Sequence, residues 1–133
     1  FDEAIVLEEE RLEVGTPPED RPILVVDDDP EDRLLVRTLL NKHGFEVEEA
    51  QDGDEALERI GGGEQHSLIV LDLEMPNVNG RVVLERLRSS GSTVALPVIV
   101  LMEGGADDYL RKPLDPPRFI ARIKAALRRA RMT

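Results

Sequence analysis

The stretch Ser67 to Gly80, S-L-I-V-L-D-L-E-M-P-N-V-N-G, decides how this chain is expected to fold. Its apolar run, Leu68 to Leu71, is typical of a strand buried on both faces of a parallel sheet. Asp72 follows directly, and Met75 to Gly80 are predicted to form a tight loop that leaves its carboxylate accessible. Because open α/β sheets bind ligands at the carboxyl ends of their strands, Asp72 is a candidate for chemistry. Taken alone, an Asp that only caps a turn is the simpler interpretation.

The composition limits the chain to one ordinary domain. It has 133 residues, of which 41% are hydrophobic and only 3% aromatic, so two cores would be too small. The absence of cysteine excludes disulfides, thiolate zinc sites and cysteine catalysis, and it agrees with a reducing cytoplasm, where we expect the protein to act. No apolar run approaches the roughly 18 residues of a membrane span, and no signal peptide is visible.

The negative charge is concentrated at the start of the chain. Residues 1–20 carry eight acidic side chains and one arginine, and Gly15 to Pro18 indicate a break. We interpret residues 1–20 as an acidic tail or linker and residues 21–133 as the domain. The net charge of −11 argues against nucleic-acid binding and favours cations or basic partners. Because the first residue is Phe1, we expect a fragment of a longer protein.

From Pro22 onward, apolar strands alternate with amphipathic helices, which predicts a doubly wound α/β domain with a parallel sheet. Predicted strands begin at Ile23, Phe45, Leu68, Pro97 and Tyr109. The first helix is predicted to be capped by Asp29, to bury Leu35 and Leu39, and to stop at Gly44. The other predicted helices cover Asp54 to Ile60, Gly80 to Ser89, and the chain from Pro116, where Phe119, Ile120, Ile123 and Leu127 form the inner face.

Three acids, Asp27 to Asp29, follow the first strand. Since neighbouring parallel strands end at the same edge, Asp27 and Asp28 are predicted to lie close to Asp72. Clustered carboxylates repel one another, and a divalent cation with oxygen ligands, above all Mg²⁺, relieves the repulsion. The alternative is that these acids only cap the helix, which is our interpretation of Asp29.

Lys112 supplies a cation at the end of the predicted fifth strand, directly before Pro113. Most lysines are simply solvated. At this edge of the sheet, opposite the acids, Lys112 is instead predicted to bind a phosphate or carboxylate group.

Three motifs occur along the chain in this order: V-V-D-D-D-P, D-L-E-M-P-N-V-N-G and G-A-D-D-Y-L-R-K-P. In their order and spacing, the chain from Pro22 to about Arg129 resembles the receiver domains of two-component response regulators. The resemblance implies a flavodoxin-like five-stranded parallel sheet of order 2-1-3-4-5. It also implies that Asp72 is phosphorylated by a sensor histidine kinase or phosphotransfer protein, and that Lys112 holds the phosphoryl group. The implied Mg²⁺ set is Asp28, Asp72, the backbone carbonyl of Glu74 and, partly through water, Asp27. Tyr109 would be the aromatic side chain that moves on activation.

The resemblance fails after Leu101. The family usually has Ser or Thr at the next position, followed by a loop and a helix, whereas this chain has Met102 at that switch position and only six residues before the predicted fifth strand. A parallel crossover usually needs a dozen residues or more. Either the connection lacks a helix, or the fifth strand comes from elsewhere, or residues are missing from this sequence. A complete chain is then expected to self-associate through the uncovered strands, unless the segment Phe1 to Val14 covers them.

Two functions remain open. The first is a phospho-acceptor module that changes an interaction surface; the second is a degenerate receiver that acts as a phosphorylation-independent dimerisation or binding module. A phosphatase of the haloacid dehalogenase type is set aside, because Glu31 stands where that motif needs Thr or Val. Neither of the first two functions makes the chain an enzyme acting on an outside substrate. The basic end of the last helix, Arg128 to Arg131, is interpreted as a solvated face.

Overall fold

The sheet has five parallel strands in the order β2-β1-β3-β4-β5, as the sequence predicts. The computed structural model describes residues 20–73, 80–91, 93–103, 110–112 and 115–131. The strands are β1 Ile23–Val26, β2 Val47–Ala50, β3 Leu68–Asp72, β4 Val98–Glu103 and β5 Leu110–Lys112. The predicted tail, apart from Asp20, lies outside the described residues.

Four helices flank the sheet in the described parts of the chain: α1 Pro30–Lys42, α2 Gly53–Gly61, α3 Gly80–Ser89 and α4 Pro116–Arg131. The first two begin where short acids satisfy free backbone N–H groups. The carboxylate of Asp29 accepts a hydrogen bond from Glu31 N at 2.9 Å, and that of Asp52 accepts one from Glu55 N at 2.8 Å. None of these helices is long and apolar enough to cross a membrane.

Each face of the sheet has its own hydrophobic core. Alternate residues of β1 and β3 point to opposite faces, which explains why both strands are apolar throughout. One core joins the sheet to α1 and α4 and includes Phe119 and Ile123. The other joins it to α2 and α3 and includes Val83 and Leu87. The central strands are therefore held rigidly from both sides.

The predicted inner face of α1 was wrong by one position. Leu35 is 56% exposed, whereas Val36 and Leu40 are buried and Leu39 is partly buried. Because each helical residue turns about 100°, a face centred on Val36 and Leu40 takes in Leu39 and turns Leu35 toward solvent. Leu34, at 61% exposed, also faces solvent.

β5 belongs to the same chain and pairs with the last residues of β4, so the expectation that the fifth strand could come from elsewhere is wrong. Leu110 pairs with Leu101, and Lys112 pairs with Glu103. The distance from Glu103, the end of β4, to Leu110, the start of β5, is therefore only about 7 Å along the strands and about 5 Å across them. Six residues are long enough for that distance, and the connection itself, 104–109, lies outside the described residues.

The uncovered surface expected on β4 is not seen at its described side chains. Ile99, Val100 and Leu101 are 6, 8 and 2% exposed, respectively. The burial of these side chains therefore removes the reason for expecting self-association through this strand, which was an exposed apolar surface.

Candidate functional site

Asp27, Asp28 and Asp72 come together at the carboxyl edge of the sheet and form what we call the acid pocket. Carboxylate oxygens of all three lie within 4.8 Å of one another. The register explains the proximity, because Val26 and Leu71, the residues before Asp27 and Asp72, are paired neighbours on β1 and β3. The sequence prediction that these carboxylates cluster is confirmed.

The three carboxylates of the acid pocket differ in their exposure to solvent. Asp27 and Asp72 are 1% and 3% exposed, while Asp28 is exposed. A buried carboxylate is held in place by its surroundings, whereas an exposed one can exchange water for another ligand at little cost. The pocket thus combines two fixed acids with one at its entrance.

Asp27 is fixed through both its side chain and its backbone. Its Oδ1 accepts a hydrogen bond from Asp29 N at 3.0 Å, and its backbone N donates to Ala50 O at 3.2 Å. Its carbonyl oxygen accepts a hydrogen bond from Arg33 Nη1 at 2.8 Å. Asp29 itself is the N-cap of α1, as the sequence predicts, and is not part of the pocket.

An ion-pair network behind Asp27 was missed by the sequence analysis. Arg33 Nε and Arg37 Nη1 donate to the two carboxylate oxygens of Glu49 at 2.9 and 2.6 Å. Burial raises the pKa of Glu49, but hydrogen bonds and Coulomb attraction from Arg37 and Arg33 outweigh it, so the pKa lies below its ordinary value. Arg33 therefore links the backbone of Asp27 to Glu49 on β2. The only sequence signal was an Arg pair one helical turn apart.

Gly80 holds the start of α3 directly against the end of β3. Its backbone N donates to Leu73 O at 3.2 Å. A Cβ at this position would lie 2.6 Å from both Asp72 O and Leu73 Cα. Only glycine lets the helix approach the Asp72 backbone this closely. Gly80 was predicted to join the loop to the helix, and this packing role was not predicted from the sequence.

The remaining predicted site residues are placed by backbone alone or lie outside the described residues. Lys112 ends β5 at the same edge of the sheet as Asp72, with β4 between their two strands. Met102 directly follows Leu101, the partner of Asp72 on β4, and is paired with Arg111. Glu74 and Tyr109 lie outside the described residues, so their predicted roles stay predictions.

The acid pocket suits Mg²⁺ in its chemistry. It offers only carboxylate oxygens, which are hard ligands, and two of the three acids are buried beside one another. A cation of the Zn²⁺ class would favour nitrogen or sulfur ligands, and the pocket offers none among the described residues.

Comparisons with known proteins identify the family of this chain. Residues 23–124 match the family model described as response regulator receiver domain. The chain is 38% identical over 123 aligned positions to the transcriptional regulatory protein ResD of Bacillus subtilis, covering 84% of this chain and 50% of that protein. It is 42% identical over 119 positions to the response regulator MprA of Mycolicibacterium vanbaalenii, covering 80% of this chain and 50% of that protein.

Solved structures give the same result. A response regulator from Chloroflexus aurantiacus has a TM-score of 0.74 at 30% identity, covering 80% of this chain and 97% of that one. A receiver domain protein described as CheY-like from Methanospirillum hungatei has a TM-score of 0.76 at 25% identity, with coverages of 84% and 97%. The chain belongs to the response regulator receiver domain family of two-component systems. It spans about half the length of the curated relatives it matches.

The alignments with the curated relatives contain gaps in this chain. The alignment with ResD spans 123 positions but covers only 84% of the 133 residues. About a dozen aligned positions therefore have a residue in ResD and none in this chain.

Proposed function

We propose that this chain is a phospho-acceptor receiver domain in which Asp72 accepts a phosphoryl group from a phosphohistidine of a sensor histidine kinase or phosphotransfer protein. The observation that carries the proposal is the acid pocket: Asp72 ends a buried central strand, with carboxylate oxygens of Asp27 and Asp28 within 4.8 Å. The same strand-end position is where open α/β sheets bind their ligands.

The residues of the pocket have different roles in the phosphoryl transfer. An oxygen of Asp72 forms a bond to phosphorus while the bond from phosphorus to the donor imidazole nitrogen breaks, and the imidazole leaves with that electron pair. A carboxylate is a weak nucleophile, so its positioning by burial at the strand end is essential. Bound Mg²⁺ would offset the charge of the phosphoryl oxygens. Asp27 and Asp28 would hold it, with the Glu74 carbonyl that the family resemblance adds.

Lys112 would bind a phosphoryl oxygen as the cation supplied by the protein. Its backbone position at the end of β5, on the same edge as Asp72, supports this role. The product is an aspartyl phosphate on the protein itself, and we therefore propose a signalling module of the cytoplasm and not an enzyme with an outside substrate.

Asp72→Asn should abolish phosphorylation, because the amide nitrogen and oxygen cannot replace the carboxylate nucleophile. The protein is incubated with Mg²⁺ and acetyl phosphate, and the mass of the intact chain is measured. We expect one added phosphoryl group in the parent and none in Asp72→Asn.

Asp54→Asn is the matched control, since Asp54 is an exposed acid in the first turn of α2 and lies outside the pocket. It should be modified as fully as the parent. An Asp72→Asn protein that still gains the phosphoryl group would show that the acceptor has been assigned to the wrong residue.

A second candidate function is a receiver that binds a partner or dimerises independently of phosphorylation. Met102 and the six-residue β4–β5 connection favour it. Met102 offers no hydroxyl at the position where the family usually has one, so it cannot donate a hydrogen bond to a phosphoryl oxygen. Amide NMR spectra before and after phosphorylation separate the two functions. Shifts that extend to α4 support switching, and shifts confined to the acid pocket support the binding module.

A further inference from the structure

A second group of metal-ligating side chains lies toward the opposite, amino-terminal edge of the sheet. Glu48 is in β2, Glu64 is in the loop after α2, and His66 precedes β3. One ligand atom from each lies within 4.8 Å of the others. We call this group the amino-edge cluster. His66 lies six residues before Asp72, about 20 Å along an extended chain, and the cluster takes no part in the proposed phosphoryl transfer.

The geometry of the amino-edge cluster is close to that of a four-coordinate metal site. His66 Nε2 lies 2.9 Å from Glu48 Oε1 and 3.8 Å from Glu64 Oε1. Ligand bonds of about 2.0–2.2 Å in a tetrahedral site separate neighbouring ligand atoms by about 3.3–3.5 Å, a value between these two distances. Small side-chain movements would therefore bring all three atoms to bonding distance from one ion.

The burial of the cluster favours a preformed site with an open side. The His66 side chain is 1% exposed, so that packing fixes the imidazole, while the Glu48 and Glu64 side chains are 42 and 43% exposed. His66 Nδ1 is buried and has no hydrogen-bond partner. His66 lines a cavity of about 360 Å³, which has room for water. A metal-bound histidine usually donates its other N–H to water or to an oxygen atom, and water in this cavity would accept that hydrogen bond from Nδ1.

The protein's own cation only partly balances the charge of the cluster. Arg59 Nη1 lies 3.1 Å from Glu64 and 3.7 Å from Glu48, and Arg59 Nε lies 3.8 Å from Glu55. One guanidinium thus faces three carboxylates. Arg59 Nε is itself buried without a hydrogen-bond partner, so that the arrangement is not fully satisfied. A divalent cation would neutralise the remaining charge.

We propose that Glu48, Glu64 and His66 bind a divalent transition-metal ion of the Zn²⁺ class, with Arg59 as the resident competitor for the two carboxylates. One imidazole nitrogen and two carboxylates form a ligand set that Zn²⁺ accepts and Mg²⁺ does not prefer. The bound ion would link β2 to the loop between α2 and β3. This site stands independently of the phosphorylation proposed for Asp72.

Calorimetric titration of the full chain with Zn²⁺ tests the proposal, with excess Mg²⁺ present to compete for the acid pocket. We expect His66→Gln to weaken binding at least about tenfold, because one of three protein ligands is lost. His43→Gln is the matched control, since His43 is the other of the two histidines and is exposed on the surface; it should leave the affinity unchanged. Arg59→Gln should tighten binding by removing the competitor.

Two further measurements keep the result interpretable if His66→Gln folds poorly. Glu64→Gln changes a half-exposed residue and should also weaken Zn²⁺ binding. NMR of the parent chain should show the His66 imidazole resonances, and not those of His43, shifting at the same Zn²⁺ concentration. Unchanged His66 resonances at saturating Zn²⁺, or equal affinities of the parent, His66→Gln and Glu64→Gln, would overturn the proposal.

Discussion

Asp28 differs from the other two acids of the acid pocket because it is exposed to solvent. Replacing it should therefore disturb the fold little while removing one carboxylate from a repelling group. We predict that Asp28→Ala unfolds at the same or a slightly higher temperature than the parent without Mg²⁺, and gains less stability when Mg²⁺ is added. Thermal unfolding over a Mg²⁺ series measures both effects.

Asp54→Ala serves as the control, because it removes an exposed acid that is not one of the three carboxylates of the pocket. It should retain the full Mg²⁺-dependent increase in unfolding temperature. An equal increase in Asp28→Ala would remove Asp28 from the metal site.

Glu49 gives the protein a defined pH dependence. Its pKa is lowered in the folded state from an ordinary value of 4.5, so its ion pairs stabilise the fold above that value and lose their effect as the pH falls through the lowered pKa. We predict that Glu49→Gln costs about 1 kcal/mol at neutral pH, since the pairs are only partly buried. The free energies of unfolding of parent and variant should converge well below pH 4.5.

Urea unfolding at a series of pH values measures this difference, with Glu46→Gln as the control. Glu46 is an exposed acid just before β2, and its replacement should change little at any pH. A Glu49→Gln difference that stays constant into strong acid would mean that the ion pairs with Arg33 and Arg37 are not its cause.

At the scale of elements, the contact between α3 and the end of β3 leads to a prediction about Gly80. Gly80→Ala would place a Cβ 2.6 Å from Asp72 O and Leu73 Cα, and both belong to the backbone, which cannot move aside cheaply. We predict a loss of about 1–3 kcal/mol in the free energy of unfolding. Phosphorylation at Asp72 should slow as well, because its backbone must shift.

Gly61→Ala is the matched control at the end of α2, where a Cβ would meet nothing within 4 Å. It should be neutral or stabilise by up to about 1 kcal/mol. Urea unfolding and the rate of acetyl phosphate labelling provide the two readouts. Equal behaviour of the two variants would show that the close approach at Gly80 does not position Asp72.

The sequence predicted the central strands and the acid pocket well because both depend on short-range patterns. Unbroken apolar runs ending in Asp identify β1 and β3, and adjacent parallel strands must end at one edge. The prediction of the inner face of α1 failed because apolar residues occur on several sides of this helix. Leu35 and Val36 are therefore equivalent in the sequence pattern, and only tertiary packing determines that Val36 is buried and Leu35 exposed. Arg33 and His66 were missed because they contact Glu49 and Glu48, which are 16 and 18 residues away in the chain. Gly80 was missed because its approach to the backbone of Asp72 follows from the packing of α3 against β3, which no local pattern reveals.

Across the whole molecule, the sheet should be least stable at β5. β5 has three residues at the edge of the sheet, whereas β1 and β3 are buried and paired on both sides. We predict that the backbone amides of Leu110–Lys112 exchange with solvent by local opening, at least about tenfold faster than those of Val25 and Val70, which should need global unfolding. Hydrogen exchange followed by NMR measures these rates. Equal protection at both places would mean that β5 opens only with the whole sheet.

The pairing of β1 with β3 has a consequence for how such a domain can change over evolutionary time. The three carboxylates of the acid pocket depend on only two adjacent strands and the turns that follow them. β4 and β5 lie on the other side of β3 from β1, so this pair does not depend on how β4 and β5 are joined. Deletions between β4 and β5 can therefore change the surface that a receiver domain presents while leaving the acid pocket intact. With Asp72 as the proposed phosphoryl acceptor, such a chain would draw phosphoryl groups away from a shared donor and so act on a pathway as a sink.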